Sequence, residues 1–252
     1  MSENTLQETT NKTEVVNPQE QILGFEESRP EDTLLARVKV VNALSPERKD
    51  KTADEGDIIL SLTGEHIGPD DRFIPIKQYY SNIEWNPDRS SENRILCRSF
   101  DGKIGVCSDG TTLSCASCKK NQFDNSKVGK EAQPTCTAYM NFLGFFSDNP
   151  APLVLSFSRT NYNEGKKMLS IAKSLMKSLF SYTYKLESKL VSKNNNEWYI
   201  IVPKLSEATS EPLKAVAMDV YKAYEKMIVK ADYEETVYGD NTKVSEELAN
   251  EI

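Results

Sequence analysis

Short alternating hydrophobic stretches, punctuated by turn signals, run through most of the 252-residue chain and predict a strand-rich fold. Leu34 to Ala43 alternates, with Val38 and Val40 on one face and Arg37 and Lys39 on the other, until Ser45-Pro46 breaks it. Gly56 to Leu62 predicts a second strand, ended by Thr63-Gly64-Glu65. Arg72 to Lys77 and Gln78 to Trp85 predict a third, or a bent one with Pro75 at its edge. Thr137 to Phe146 and Leu153 to Ser158 predict an apolar hairpin, turned by Asn149-Pro150-Ala151-Pro152. Phe180 to Leu186 and Glu197 to Val202 predict two further strands joined through Lys193-Asn194-Asn195-Asn196.

The period changes twice to that of a helix. Thr160 or Asn161 caps a segment running to about Ser178, which buries Met168, Leu169, Ala172, Leu175 and Met176. Glu211 to about Val229 places Leu213, Val216, Ala217, Val220, Tyr224, Met227 and Ile228 on one face. The fold class is α+β, mainly antiparallel strands. A five-stranded barrel of the oligonucleotide-binding (OB-like) type, with a C-terminal helix, is one way such a chain closes its edges.

Between the third strand and the apolar hairpin lies a segment of a different kind. All five cysteines, Cys97, Cys107, Cys115, Cys118 and Cys136, fall in residues 97–136. Without Cys107 their spacing is C-x17-C-x2-C-x17-C, symmetrical about Cys115-Ala116-Ser117-Cys118. Two thiolates on a tight turn and two from elsewhere make a tetrahedral site for structural Zn2+, with no open position for catalysis. The surrounding residues are polar and turn-rich, so a bound metal supplies much of the segment's folding free energy. Three alternatives stand beside zinc. A disulfide framework fits poorly with an odd count and no secretory segment. A redox pair lacks a surrounding βαβ pattern. Five unconnected thiols would not need to cluster. Cys107 could replace Cys97, and His66, the one histidine, could compete.

A net charge of −7 at first argues against nucleic acid. Its distribution reverses that. Residues 1–32 and 232–252 each carry −6, which leaves residues 33–231 at +5. The chain therefore reads as a disordered acidic leader (1–32), a basic core domain (33–231) with a zinc-binding insertion at 97–136, and an acidic C-terminal tail (232–252). The tail either solubilises, competes with polyanions for the basic surface, or docks replication or recombination proteins. No apolar run approaches membrane-spanning length, so no membrane is expected, and the thiol cluster favours a reducing cytoplasm.

Within the body, residues 165–193 concentrate Lys166, Lys167, Lys173, Lys177, Lys185, Lys189 and Lys193 against Glu187 alone. Ammonium groups bind phosphates without reading bases. Tyr182, Tyr184 and Trp198 lie within or beside this stretch, and Tyr79, Tyr80 and Trp85 form a second aromatic run. Lysines interleaved with aromatic faces suit sequence-tolerant single-strand binding. The plain alternative makes the lysines a wet face and the aromatics core. Aromatics on adjacent strand positions cannot all face one core, so some of Tyr79, Tyr80 and Trp85 are expected at the surface.

Leu96-Cys97-Arg98-Ser99-Phe100-Asp101-Gly102, Cys115 to Cys118 followed by Asn121-Gln122-Phe123, and Cys136 opening an apolar strand resemble a family of bacteriophage proteins. The flanks share the likeness: Leu44-Ser45-Pro46-Glu47, Gly56-Asp57-Ile58, Thr63-Gly64-Glu65 and Ala151-Pro152-Leu153-Val154-Leu155. The resemblance covers residues 34–204. It implies an OB fold and single-stranded DNA binding, as regarded for some members, and matches Cys97, Cys115, Cys118 and Cys136 to the family's recurring cysteines. The acidic C-terminal tail is similar in character to those of single-strand-binding proteins.

An enzyme is the competing class. No phosphate-cradling Gly-rich loop is present, His66 sits in a turn, and no spacing forces Asp70, Asp71, Glu84 and Asp88 together around magnesium. The expectation is therefore a non-enzymatic, zinc-stabilised single-stranded DNA-binding protein of phage replication or recombination. The alternative is a zinc-containing adaptor that binds replication or transcription proteins without touching DNA.

Overall fold

The structure is a computed structural model that describes residues 34–88, 91, 93–193 and 195–233. The acidic leader and residues 234–252 of the expected tail lie outside the described residues. Ten strands form one sheet: β1 (Arg37–Val40), β2 (Ile58–Leu60), β3 (Phe73–Trp85), β4 (Ile95–Ser99), β5 (Ile104–Cys107), β6 (Thr112–Ser114), β7 (Cys136–Phe146), β8 (Asn149–Ser158), β9 (Tyr182–Lys193) and β10 (Asn196–Ala208). Three helices accompany them: α1 (Pro46–Lys49), α2 (Tyr162–Ser174) and α3 (Glu211–Tyr224).

The organising strand is β3. The two stretches on either side of Lys77 form one strand of 13 residues, because Pro75, which has no N–H to donate, falls at a register shift against β7. One edge of β3 pairs with β7 along its length. The other edge forks. At its start β3 meets β9 at a single pair, Phe73 opposite Tyr184, and at its end Asn82 to Trp85 pair with β4.

The two branches carry different cargo. On one side the order β2-β1-β8-β7-β3, continued by β9 and β10, curls round a core of Phe73, Phe142, Leu155, Phe157, Met168 and Tyr184. Each of these fully buried side chains contributes about 1.5–3 kcal/mol of hydrophobic stabilisation. The sheet does not close into the expected five-stranded barrel. No ladder joins β10 to β1 among the described residues. The gap is spanned instead by the Asn42 side chain, whose Oδ1 accepts from Tyr199 N–H at 2.6 Å and whose Nδ2 donates to Tyr199 O at 3.3 Å. On the other branch, β4, β5 and β6 extend the sheet as a short ribbon that carries the cysteines.

Helix α2 lies on the core side, where the backbone at Gly165 presses on Phe157 and Met140. It ends earlier than the periodicity suggests. Met176 adopts a positive φ of 52° and Lys177 N–H returns to Ala172 O, the turn by which helices stop. Leu175 and Met176 are consequently exposed, not buried. Helix α3 covers Ile74, Ile76 and Phe145 on the opposite face.

The chain then returns to the sheet. Leu35 bridges Ala231 in parallel, and Leu35 N–H and O bond Lys230 O and Asp232 N–H, both at 3.0 Å. Tyr233 is buried, and its hydroxyl donates to Asn141 Oδ1 at 2.8 Å. Asp232 and Tyr233, the first two residues of the expected acidic tail, are therefore packed on the body. No helix among the described residues is long and apolar enough to cross a membrane.

Candidate functional site

Strand register builds the cysteine cluster. Cys136 opens β7 opposite Glu84 of β3, Glu84 lies opposite Cys97 of β4, and Cys97 lies opposite Cys107 of β5. Residues in register on neighbouring strands share a face, with each step about 5 Å. Three thiols and one carboxylate thus form a row across four strands. The remaining two thiols arrive from the loop after β6. Cys115 N–H donates to Lys103 O at 2.8 Å. Asn121 Nδ2 donates to Cys115 O at 3.1 Å and Gln122 Nε2 to Ala116 O at 2.9 Å, so two amide side chains brace the Cys115–Cys118 turn.

All five cysteines line one cavity of about 230 Å³, with Asn82, Glu84, Ser99, Leu113 and Lys119 to Asn121. Gly105 forms part of its wall at close quarters. A Cβ there would stand 2.8 Å from Cys97 Sγ and 3.8 Å from Cys115 Sγ. Among the described residues no three ligand-type side chains already stand as a finished metal site; the thiols share a cavity without meeting at one point.

Crowding shows in the acidities. Burial pushes the Cys97 thiol up to about 12, helped by its hydrogen bond with Cys107 and by the nearby Cys107, Cys115 and Cys136. Cys136 is likewise pushed up to about 12, first by burial and then by Cys115, Cys118 and Glu84. Glu84 is buried, and Lys120 reaches over it with Nζ 2.7 Å from Oε1 and 3.0 Å from Oε2. That hydrogen bond raises the Lys120 ammonium above its ordinary value. Cys97 and Cys136 are thus held as neutral thiols, beside the Glu84–Lys120 ion pair. A soft cation reverses this by favouring thiolates, with loss of protons.

The residues expected to contact DNA separate into five places. Tyr184 is in the main core at 1% exposure, which leaves no ring face for a base, and Tyr182 packs against the same core. Tyr79 and Trp85 pack on the cluster formed by Ile83, Tyr139 and Leu143, and Trp85 Nε1 donates to the Tyr139 hydroxyl. Pleating puts Tyr79 inside and leaves Tyr80 exposed at 44%. Lys166, Lys167, Lys173 and Lys177 are all exposed on or just after α2, with Lys167 paired to Glu164 at 2.6 Å. Lys185 and Trp198 share the outer face of the β9–β10 hairpin.

That hairpin face is ordered by register. Lys185 lies opposite Lys204, Glu187 opposite Val202, Lys189 opposite Ile200, Val191 opposite Trp198, and Lys193 opposite Asn196. Tyr184, Leu186 and Ile201 point into the core, so this set points away from it. Two lysines placed directly opposite each other repel, an arrangement suited to an anion between them. Trp198 Nε1 is buried without a hydrogen-bond partner among the described residues.

By spacing Cys107 enters only as a replacement for Cys97, and Glu84 only as a magnesium ligand. The signal for both is register, since a hairpin from β3 to β5 sets Glu84, Cys97 and Cys107 side by side. Asp70 and Asp71 precede β3 and Glu84 lies near its far end, and the acids weighed for magnesium do not form a metal-holding group among the described residues.

A family model described as Pam3 phage gp34-like protein matches residues 6–230. No curated protein matches the chain, and no solved structure does.

Proposed function

The chain belongs to the Pam3 phage gp34-like family, and on that premise we propose that it is a non-enzymatic, sequence-independent single-stranded DNA-binding protein of phage replication or recombination, acting in the host cytoplasm. The observation that carries this reading is the outer face of the β9–β10 hairpin. There Lys185, Lys189, Lys193 and Lys204 are interleaved with Val191, Trp198, Ile200 and Val202. Lysines along an extended ribbon follow a phosphate backbone, while the apolar and aromatic positions offer contact to any base.

The cysteine cavity fits a structural zinc ion. Its donors are thiols, which are soft ligands, and Gly105 supplies the close backbone approach that a compact thiol set requires. Cys97, Cys115, Cys118 and Cys136 would hold the ion, with Cys107 beside Cys97. When bound, zinc supplies folding free energy to the β4–β6 ribbon and no catalysis.

The test is affinity for labelled oligo-dT across a salt series, with duplex DNA as competitor. Single strand is expected to win. Four lysine–phosphate contacts give a slope of log K against log salt of about −3. Absence of salt-dependent affinity at low salt would overturn the reading and leave a zinc-bearing protein adaptor. Residues 234–252 carry a net −5. Deleting them is expected to tighten oligo-dT binding at low salt and to have little effect at high salt, where screening removes the competition. Equal affinity at low salt would remove that role from the tail. The cut falls after Tyr233 because Asp232 and Tyr233 are buried in the body.

A further inference from the structure

We infer that the notch where the sheet forks is a pocket for one base of single-stranded nucleic acid, an inference that rests on the reading above. Between Phe73 and Asn82 no strand pairs with the forked edge of β3 among the described residues. A cavity of about 260 Å³ fills this gap. It is smaller than the roughly 300–1,000 Å³ of drug-sized sites, and matches a single nucleoside better than a cofactor.

Its walls suit that occupant. Tyr80 and Phe100 supply aromatic rings, and Met227, Ile228 and Val229 supply an apolar side. The α3 end of the wall is fixed by Lys77, whose Nζ donates to the carbonyls of Tyr224, Glu225 and Met227 at 2.6, 2.9 and 3.2 Å. The opposite wall is the β4–β5 turn. Gly102, at a positive φ of 71°, lets this turn approach Tyr80 so closely that a Cβ there would sit 3.0 Å from Tyr80 Cβ. Asp101 accepts from Ser99 Oγ and from the N–H groups of Lys103 and Ile104, which occupies the one acid on the wall. On the wall, Gln78 Nε2 is buried without a hydrogen-bond partner among the described residues. A base edge carries both donors and acceptors.

The charge around the pocket is complementary to a strand passing through it. Lys103 is exposed on the wall. In the other direction the Tyr80 hydroxyl lies near that of Tyr162, and Lys166 Nζ stands 5.3 Å from the Tyr162 ring centroid. A base seated against Tyr80 therefore has an ammonium group to either side for its flanking phosphates.

The experiment uses the full chain and an oligo-dT carrying 5-iodouracil, with photocrosslinks mapped by mass spectrometry, alongside affinities of Tyr80→Ala, Tyr80→Phe and Lys103→Ala for plain oligo-dT. Crosslinks are expected at Tyr80 or Phe100. Tyr80→Ala should bind roughly 5- to 150-fold more weakly, the weight of one stacked base, while Tyr80→Phe keeps most of the affinity. Lys103→Ala should reduce the salt slope by about 0.7, one single-strand phosphate. Because Tyr80 and Lys103 are exposed, these variants are expected to keep the parent melting temperature, which is measured in parallel. If the native chain binds oligo-dT but crosslinks only on the β9–β10 hairpin, and Tyr80→Ala binds as tightly, the pocket is refuted and single-strand binding stands. If the native chain does not bind, both fall.

Discussion

Gly105→Ala is expected to abolish zinc binding while leaving the β-rich body folded. The added methyl would lie 2.8 Å from Cys97 Sγ, well inside contact distance. Cys97 must then rotate or β5 must draw back from β4, and either movement separates Cys97 from Cys115. The ribbon has little else to hold it. Ile104, Val106 and Leu113, the larger apolar side chains of β5 and β6, are exposed at 59%, 55% and 36%, so these two strands bury few apolar groups and the proposed zinc would supply their order. Zinc in the purified variant should fall from one per chain to near zero, and proteolysis should cut within residues 97–136. The main thermal transition should persist, because the core of Phe73, Phe142 and Tyr184 lies on the other branch of the sheet. Cys118→Ser should behave the same way, and Cys107→Ser should keep its metal. A Gly105→Ala protein that retained a full zinc complement would contradict the assignment of the cavity.

Gly144→Ala is expected to be more damaging still, and for the whole fold. Gly144 lies in β7 opposite Pro75 of β3. A Cβ there would stand 2.3 Å from the Ile74 carbonyl oxygen and 2.5 Å from Phe73 Cζ. Side-chain rotation cannot relieve a clash with the backbone of the neighbouring strand. The β3–β7 ladder must open near its Phe73 end, where Phe73, Ile74 and Phe145 are fully buried. Overpacking costs about 1–3 kcal/mol and occasionally more; a clash with backbone puts Gly144→Ala at the upper end, a large share of the ~5–15 kcal/mol that holds a typical domain together. Urea denaturation followed by fluorescence should show a midpoint far below the parent, or no folded baseline. A change within about 0.5 kcal/mol would mean that β3 and β7 do not pack as described.

Much of this fold can be read along the chain, because strands and helices that bury one face announce their period. The apolar run into Phe146, the β9–β10 hairpin and the α3 stripe as far as Tyr224 are of that kind, whereas Ile228, expected on that stripe, is exposed beyond the helix end. What alternation cannot give is partnership. Nothing local marks β3 as a strand whose edge changes partner from β9 to β4, so a closed barrel was the natural expectation where a forked, open sheet forms. The same limit governs the candidate site. The thiols declare themselves by type and clustering, whereas Glu84 and Cys107 join them only through register. Tyr182 and Tyr184 look like stacking residues beside lysines, yet Tyr184 follows the inward pleat. Tyr80 and Tyr79 are neighbours in sequence and opposites in space, as the two-residue period requires.

The most direct measurement is native mass spectrometry of the purified full chain, alone and mixed with an oligo-dT. The account predicts a chain carrying one zinc ion that shifts to the mass of a protein–oligonucleotide complex, the zinc retained. A chain at its bare mass that gains no oligonucleotide would contradict the metal centre and the single-strand reading together.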